Sequence, residues 1–308
     1  MKNFLVSISG PTGIGKTDWA IRLARHYKTE VLSVDSRQFY QEMRIGTAVP
    51  TPEELQAVPH HFIQHKSIHE PYSVGDFRRE ALERIRELFR HHRLVILAGG
   101  SGLYLDAITR GLDEFPTVDP AIRQELIRDF EKSGITPLQN VLAEKDPEYH
   151  ARVDLSNPHR LIRALEICLG TGKPYSSFLG NRKAPDFFMH IPLGLKAPRE
   201  VVYERINARV EQMMESGLLE EARALFPYRD LSALQTVGYQ ELFAYFEGTM
   251  DLETAVSEIA KNTRRFAKRQ GTWLRRDPDI HWIPHDAPTA EAIRYLDAKM
   301  EAESHGDA

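Results

Sequence analysis

The sequence predicts an α/β fold: a parallel sheet flanked by helices, with a mainly helical inserted domain. Three observations predict it. An apolar run, FLVSIS at residues 4–9, leads straight into the glycine-rich loop GPTGIGKT and then into a helical pattern. Two further short apolar runs, EVLSV at 30–34 and LVILA at 94–98, alternate with helical stretches, as strands of a sheet covered on both faces do. Beyond Phe115 the pattern changes, and helix start and stop signals take over.

Each element follows from its own residues. A helix is expected over about residues 17–27, and the second strand ends at Asp35. Tyr72 to His91 reads as helix: Ser73 is a suitable N-cap, and Phe77, Ala81, Leu82, Ile85, Leu88 and Phe89 recur at three and four. Asp119-Pro120 opens a helix stopped by Gly134, and Asn157-Pro158 opens another that stops near Gly170 to Gly172. HIPLGL at 190–195 reads as a strand returning to the sheet. Pro198 then starts a long helix ending at Gly217, with Val201, Val202, Ile206, Val210, Met213 and Met214 on its inner side. The organisation expected is a core of residues 1–114 and 186–284, a helical insertion over 115–185, and a loosely held, flexible tail over 285–308.

Composition sets the class. Of 308 residues, 42% are hydrophobic and 27% charged, the balance of a soluble globular protein with a core. No window approaches the ~18 uninterrupted apolar residues of a membrane span. The N-terminal apolar residues run directly into the glycine loop, so they read as a strand rather than a signal peptide. A single cysteine, Cys168, excludes an internal disulfide and a multi-cysteine zinc module; in the apolar segment LEICLG it reads as packing. Cytoplasmic residence is the expectation. Net charge is −4, yet KNTRRFAKRQGTWLRR at 261–276 holds seven basic residues and no acid, leaving 33 positive against 44 negative elsewhere. Lys261, Arg264, Arg265, Lys268 and Arg275 fall on one helical stripe with Thr272, an electrostatic footprint for a polyanion.

The glycine loop fits G-x-x-x-x-G-K-[ST], with Gly10, Gly15, Lys16 and Thr17 in register. Gly10, Pro11, Thr12, Gly13, Ile14 and Gly15 form a phosphate cradle, Lys16 adds a point charge, and the Thr17 hydroxyl is placed to ligate Mg²⁺. The sheet is therefore expected to be P-loop NTPase-like. Read alone, the loop points to ATP. ATP-hydrolysing relatives of this loop end a later strand in a metal-holding aspartate, whereas LVILA ends in Gly99-Gly100-Ser101-Gly102. The acid stands instead after the second strand, in VDSRQFY, where Asp35 suits a general base acting on a second substrate. Its alternative role is to cap the turn through Ser36 to Gln38.

Arg160 and Arg163 in the first turns of a helix oppose its dipole and point to an external anion, although Asp154 could neutralise one of them. Arg205 and Arg209 share a helix face, with Glu204 and Glu211 available as ordinary surface partners. His61, His65 and His69 recur every four residues, but no carboxylate or thiol completes a metal set.

Eight motifs in order carry a resemblance over nearly the whole chain: GPTGIGKT at 10–17, VDSRQFYQEMRIGTAVP at 34–50, PHHF at 59–62, YSVGDFRREA at 72–81, AGGSGLYLDAI at 98–108, NPHRLIRALEI at 157–167, VGYQEL at 237–242 and TRRFAKRQGTWLRR at 263–276. The chain resembles the bacterial tRNA dimethylallyltransferases, also called tRNA isopentenylpyrophosphate transferases. The resemblance implies transfer of a dimethylallyl group from dimethylallyl pyrophosphate to N6 of the adenosine 3′ of the anticodon, in tRNAs reading codons that begin with U. It implies Asp35 as general base, and Lys16, Thr17 with Mg²⁺, and Arg209 as a pyrophosphate clamp.

It also implies that the tRNA anticodon stem-loop is held by a set of segments. These are Asp35, Ser36, Arg37 and Gln38; Ser101; Arg123; His159, Arg160, Leu161, Ile162 and Arg163; Gln235, Thr236, Val237, Gly238, Tyr239 and Gln240; and Lys268, Arg269 and onward to Arg275. A monomer with no membrane association is implied. Ser101 stands where many relatives carry threonine, which keeps the hydroxyl, and the C-terminal zinc finger of eukaryotic relatives has no counterpart in this sequence. Three rivals predict different outcomes: a P-loop small-molecule or nucleoside kinase, an adenylate prenyltransferase acting on free AMP, and a nucleotide-switched RNA-binding protein without turnover.

Overall fold

The apolar run FLVSIS forms β1 (Phe4–Ser9), and all six residues are buried. The glycine loop turns it into α1 (Lys16–Tyr27), followed by β2 (Val31–Ser33), α2 (Pro52–Ala57), β3 (His60–His61), α3 (Val74–Leu88), β4 (Leu94–Ala98) and α4 (Gly102–Thr109). Next come α5 (Pro120–Ser133), α6 (Thr136–Lys145), α7 (Pro147–His150) and α8 (Pro158–Thr171). The chain then returns as β5 (Met189–Lys196), α9 (Arg199–Glu215), α10 (Leu218–Leu225), α11 (Tyr239–Phe246), α12 (Leu252–Leu274), β6 (His281–Pro284) and α13 (Thr289–His305). The computed structural model describes residues 2–305. They fall into two compact units, Met1–Thr109 with Pro185–Ala308, and Arg110–Ala184.

In the larger unit six strands form one sheet in the order β3-β2-β4-β1-β5-β6, and every pair is parallel. β1 lies between β4 and β5 with both edges paired, and helices cover both its faces, so its residues need no alternation. Its two serines are satisfied inside: Ser9 Oγ donates to Leu193 O at 3.1 Å, and Ser7 Oγ lies 2.8 Å from His190 Nε2. Trp19, Leu23, Ala292 and Leu296 pack with Phe4, Val6 and Ile8, while Phe39, Phe77, Ala81 and Ile85 pack with Leu5, Val95 and Leu97. A further cluster, Leu218, Ala222, Leu234, Tyr239, Leu242 and Ile259, gathers α10 to α12.

Ser73 caps α3 as expected: its Oγ accepts from Asp76 N at 3.2 Å, and Asp76 returns the bond to Ser73 N. The helix is shorter than the sequence reading, because after Leu88 the backbone closes into turns, with Arg90 N on Glu87 O and His91 N on Leu88 O. The tail expectation is corrected. Residues 289–305 form α13, whose Ala292 and Leu296 are fully buried, and Tyr27 Oη donates to Asp297 Oδ1 at 2.9 Å. The last three residues of the expected tail, 306–308, lie outside the described residues.

The smaller unit has its own core of Leu126, Leu138, Leu142, Leu161, Ile162, Ala164 and Leu165. Its helices begin and end at the expected signals: Asp119 caps α5, Asn157 caps α8, and Gly134 and Gly172 terminate them at φ 75° and 68°. Cys168 is buried, accepts a bond from Tyr175 N, and has its thiol pushed up by burial.

Candidate active site

The loop after β1 is built to approach an anion. Gly13 and Gly15 sit at φ 83° and 100°, a region that L side chains rarely adopt. Gly15 is also the N-cap of α1 and supplies no side-chain acceptor, so the first amides of the helix stay available to a ligand. Lys16 Nζ donates to Gly10 O at 3.0 Å and Pro11 O at 3.1 Å. Burial lowers its pKa from the ordinary 10.5 to about 8; the Asp35 carboxylate opposes this and the Arg209 guanidinium adds to it. The cationic form that attracts phosphate is therefore lost near pH 8 in the free protein. Affinity for inorganic pyrophosphate, measured by calorimetry, is expected to fall as pH rises through about 8, with no inflection there in Lys16→Met. Identical profiles for the two proteins would contradict the assignment.

Asp35 follows β2 at the carboxyl edge of the sheet. Its Oδ1 accepts from Arg37 N at 3.0 Å, so it does cap its turn, and Oδ2 has no protein donor among the described residues. Ser36 N donates to Ser101 Oγ at 3.1 Å, joining this turn to the glycine segment after β4. Arg209, on α9, makes no ion pair among the described residues. Burial pushes its guanidinium below the ordinary value; Glu54 counters this and Arg205 adds to it.

Two cavities meet here. One, of about 770 Å³, is lined by Thr12, Gly13, Gly15, Lys16 and Thr17 on one side and by Thr47 to Thr51 and Gln212 on the other. The second, of about 400 Å³, is lined by Ser36, Arg37, Ser101, Gln235 to Gly238, Gln240, Thr263, Phe266 and Arg269. Thr12, Asp35, Thr47, Ala48, Arg209 and Met213 line both. The anion loop and the 235–240 segment thus face a common wall that carries one carboxylate and one guanidinium.

Other residues singled out from the sequence have different placements. Tyr239 is fully buried and donates to Glu221 Oε1 at 2.7 Å; burial, then the charge of Glu221, push its phenol far up. It is a packing residue, which corrects its reading as an RNA contact. The same correction applies to Leu161 and Ile162, whose side chains are buried in the core of the smaller unit. Arg37 donates to Ser232 O and Ala233 O, and Gln38 Nε2 to Thr47 O and Ala48 O, so both brace the site's walls.

Within the smaller unit, Arg123 reaches the buried Glu166 at 2.7 Å, and Arg163 bonds the same carboxylate. The anion predicted near Arg163 is thus at least partly internal, while His159 and Arg160 are exposed. Asp154 bonds Ser156 rather than pairing with Arg160. On α12, Lys261 pairs with Glu258, but from Arg264 to Arg269 no cation is paired with a carboxylate among the described residues. Lys268, Arg269 and Arg275 are exposed. His61 pairs with Glu30, His65 lies beside Tyr72, and His69 packs edge-on to Tyr228; no group of three metal-ligating side chains occurs among the described residues.

Sequence reasoning missed two residues and the role of a third. Glu221 accepts from the successive backbone amides of Arg44, Ile45 and Gly46 at 3.0, 2.8 and 3.0 Å, holding the segment that walls the first cavity. Arg205 is not merely a surface charge: its Nη1 donates to Ile14 O at 3.0 Å and pins the anion loop to α9. Gln270, on α12, bonds both Thr12 and Gly100. In each case the bonded partner lies far away in sequence, so spacing carries no signal for the role.

Comparison with known proteins accounts for this arrangement. A family model described as IPP transferase matches residues 38–277. The chain is 56% identical over 300 residues to a protein of Christiangramia forsetii named tRNA dimethylallyltransferase, covering 97% of this chain and 99% of that one. It is also similar to the crystal structure of the full-length tRNA isopentenylpyrophosphate transferase from Bacillus halodurans, with a TM-score of 0.74, 37% identity and 98% of both chains covered. A eukaryotic dimethylallyltransferase, solved acting on tRNA, matches with a TM-score of 0.75 and 26% identity over 92% of this chain and 74% of that one. The sheet and its glycine loop are accordingly the P-loop-like fold of these structural neighbours. The chain belongs to the IPP transferase family.

Proposed function

We propose that the protein transfers a dimethylallyl group from dimethylallyl pyrophosphate to N6 of the adenosine 3′-adjacent to the anticodon (position 37) in tRNAs reading codons that begin with U. It is proposed to act as a monomer in the cytoplasm. The observation that carries the reading is the shared wall: Asp35 and Arg209 line both the cavity of the anion loop and the cavity of the 235–240 segment. A donor in the first and a base extruded into the second meet at one carboxylate and one guanidinium. The relatives' common name, tRNA dimethylallyltransferase, supports the same reaction.

The chemistry follows from the residues. The amides of Gly13, Gly15, Lys16 and Thr17 and the Lys16 ammonium hold the pyrophosphate, and Arg209 faces it from α9. As the allylic C–O bond breaks, negative charge grows on the leaving pyrophosphate, where these fixed donors stabilise it. The adenine N6 lone pair forms the new C–N bond, and Asp35 accepts the proton that N6 must lose. Adenine N6 is a poor nucleophile, because its lone pair is delocalised into the ring, so removing this proton as the bond forms is where the carboxylate acts.

A divalent ion fits the site only in a limited way. Thr17 offers a hydroxyl, and with no cluster of acidic or imidazole ligands nearby, Mg²⁺ would take its other ligands from phosphate oxygens and water, as it commonly does. When bound it would neutralise charge on the pyrophosphate. Reaching N6 requires the base to leave the anticodon-loop stack, and such unstacked bases are readily gripped by proteins. The cations of α12 from Arg264 to Arg269, unpaired with carboxylates among the described residues, supply phosphate contacts for that loop.

Among the described residues no helix is long and apolar enough to cross a membrane. Incubation with dimethylallyl pyrophosphate labelled in the hydrocarbon, Mg²⁺ and unmodified tRNA is expected to place label in the RNA. Free AMP in place of tRNA is expected to remain unlabelled, and ATP to remain unconsumed. An unlabelled RNA would overturn the reading, and a labelled AMP would move it to the adenylate prenyltransferases.

A further inference from the structure

Gln270 is 8% exposed, near the C-terminal end of α12, where its neighbours Lys268 and Arg269 are exposed. Its carboxamide uses both ends. Oε1 accepts from Thr12 N at 2.8 Å, and Nε2 donates to Gly100 O at 2.9 Å. Thr12 belongs to the anion loop. Gly100 precedes Ser101, whose Oγ accepts from Ser36 N at 3.1 Å and donates to Ser36 Oγ at 3.3 Å, beside Asp35. One side chain therefore spans the loop that holds the donor and the segment that braces the base-carrying turn.

The glycines after β4 fit the same account. A Cβ on Gly100 would stand 2.3 Å from Gln270 Nε2, and one on Gly102 would stand 2.6 Å from the Trp273 ring. Gly100 and Gly102 carry no side chain because α12 packs directly onto their backbone. A buried acceptor and a buried donor, both needed at once, specify a carboxamide rather than a carboxylate or an apolar group.

We propose that Gln270 is a positioning residue that sets the register between the donor loop and the Asp35 turn, and does so from the helix proposed to hold the RNA. The inference rests on the proposed prenyl transfer. Misplacing reacting groups by about 1 Å can cost ~10²-fold in rate, so the defect belongs in the chemical step and not in RNA affinity.

The test is a rapid-quench single turnover, with enzyme in excess over tRNA and saturating dimethylallyl pyrophosphate, so that the rate constant does not depend on the active fraction. Gln270→Met keeps the volume and loses both bonds. It is expected to lower the rate constant by ~10-fold or more, with tRNA affinity by fluorescence anisotropy within about twofold, since the cations are untouched. Gly100→Ala forces the carboxamide out and is expected to give the same loss, with the double variant no slower than either single one. Gln270→Glu keeps the shape and the acceptor for Thr12 but not the donor for Gly100. It serves if the methionine variant does not fold, with the same loss expected. A folded Gln270→Met or Gln270→Glu enzyme turning over within about twofold of wild type would overturn the proposal, as would fully multiplicative losses in the double variant. A wild-type protein that labels no RNA would overturn the proposed activity instead.

Discussion

Asp35→Asn is expected to lower the single-turnover rate of prenyl transfer by ~10²–10⁴-fold, the usual worth of a positioned general base. Affinity for tRNA is expected to hardly change. The substitution is clean for a structural reason. Asp35 Oδ1 accepts the Arg37 amide at 3.0 Å, and an asparagine oxygen accepts the same bond, so the turn keeps its shape. The neighbouring bonds, from Ser36 N to Ser101 Oγ and from Gln38 Nε2 to the carbonyls of Thr47 and Ala48, do not involve the carboxylate. What is lost is the ability to take a proton from N6. Rapid quench for the rate and anisotropy for the RNA separate the two readouts. A variant that modifies tRNA at near wild-type rate would leave the carboxylate with only its capping role, the alternative that the sequence itself raises.

Arg209→Met is the second large effect, with an expected loss of ~10²–10³-fold in the same rate, comparable to removing one fixed donor from a developing anion. Its effect on stability is expected to have a different sign from its effect on activity. Arg209 forms no ion pair among the described residues, and burial, together with the nearby Arg205, already disfavours its charge. A half-buried cation held without a paired carboxylate costs some folding free energy, so an apolar side chain of similar length should melt no lower than wild type by calorimetry. Sites commonly retain such costs where function needs them. A lower melting temperature with unchanged turnover would reverse the assignment and make Arg209 structural.

Much of this was legible in the sequence, for identifiable reasons. The glycine loop, the acid after β2 and the capped helices α3, α5 and α8 are local signals: their partners lie within a few residues, so spacing reveals them. β3 has two residues and β6 four, too short to show any period, and both are defined by their neighbours in the sheet. The helical tail was missed because half of its apolar residues are alanines, which read as small rather than core-forming; yet Ala292 and Leu296, four apart, are the buried stripe that fixes it. Residues assigned to RNA as a block divide once burial is known. In HRLIR, Leu161 and Ile162 continue the buried face with Leu165, and only His159, Arg160 and Arg163 are exposed. Tyr239 likewise belongs with Leu242 and Phe243 on the inner face of α11. Gln270 and Glu221 were invisible, because a long-range hydrogen bond from a lone polar side chain leaves no periodic trace.

The central claim is that the glycine loop holds a pyrophosphate that leaves, while the attached hydrocarbon is what moves. Its most direct measurement is the stoichiometry of one turnover, with prenyl-RNA and released pyrophosphate counted in the same quenched samples. The two products are expected to appear together, one for one, with no ATP present and with both slowed by the same factor in Asp35→Asn. Pyrophosphate released without RNA product, or RNA modified only when ATP is consumed, would contradict the account.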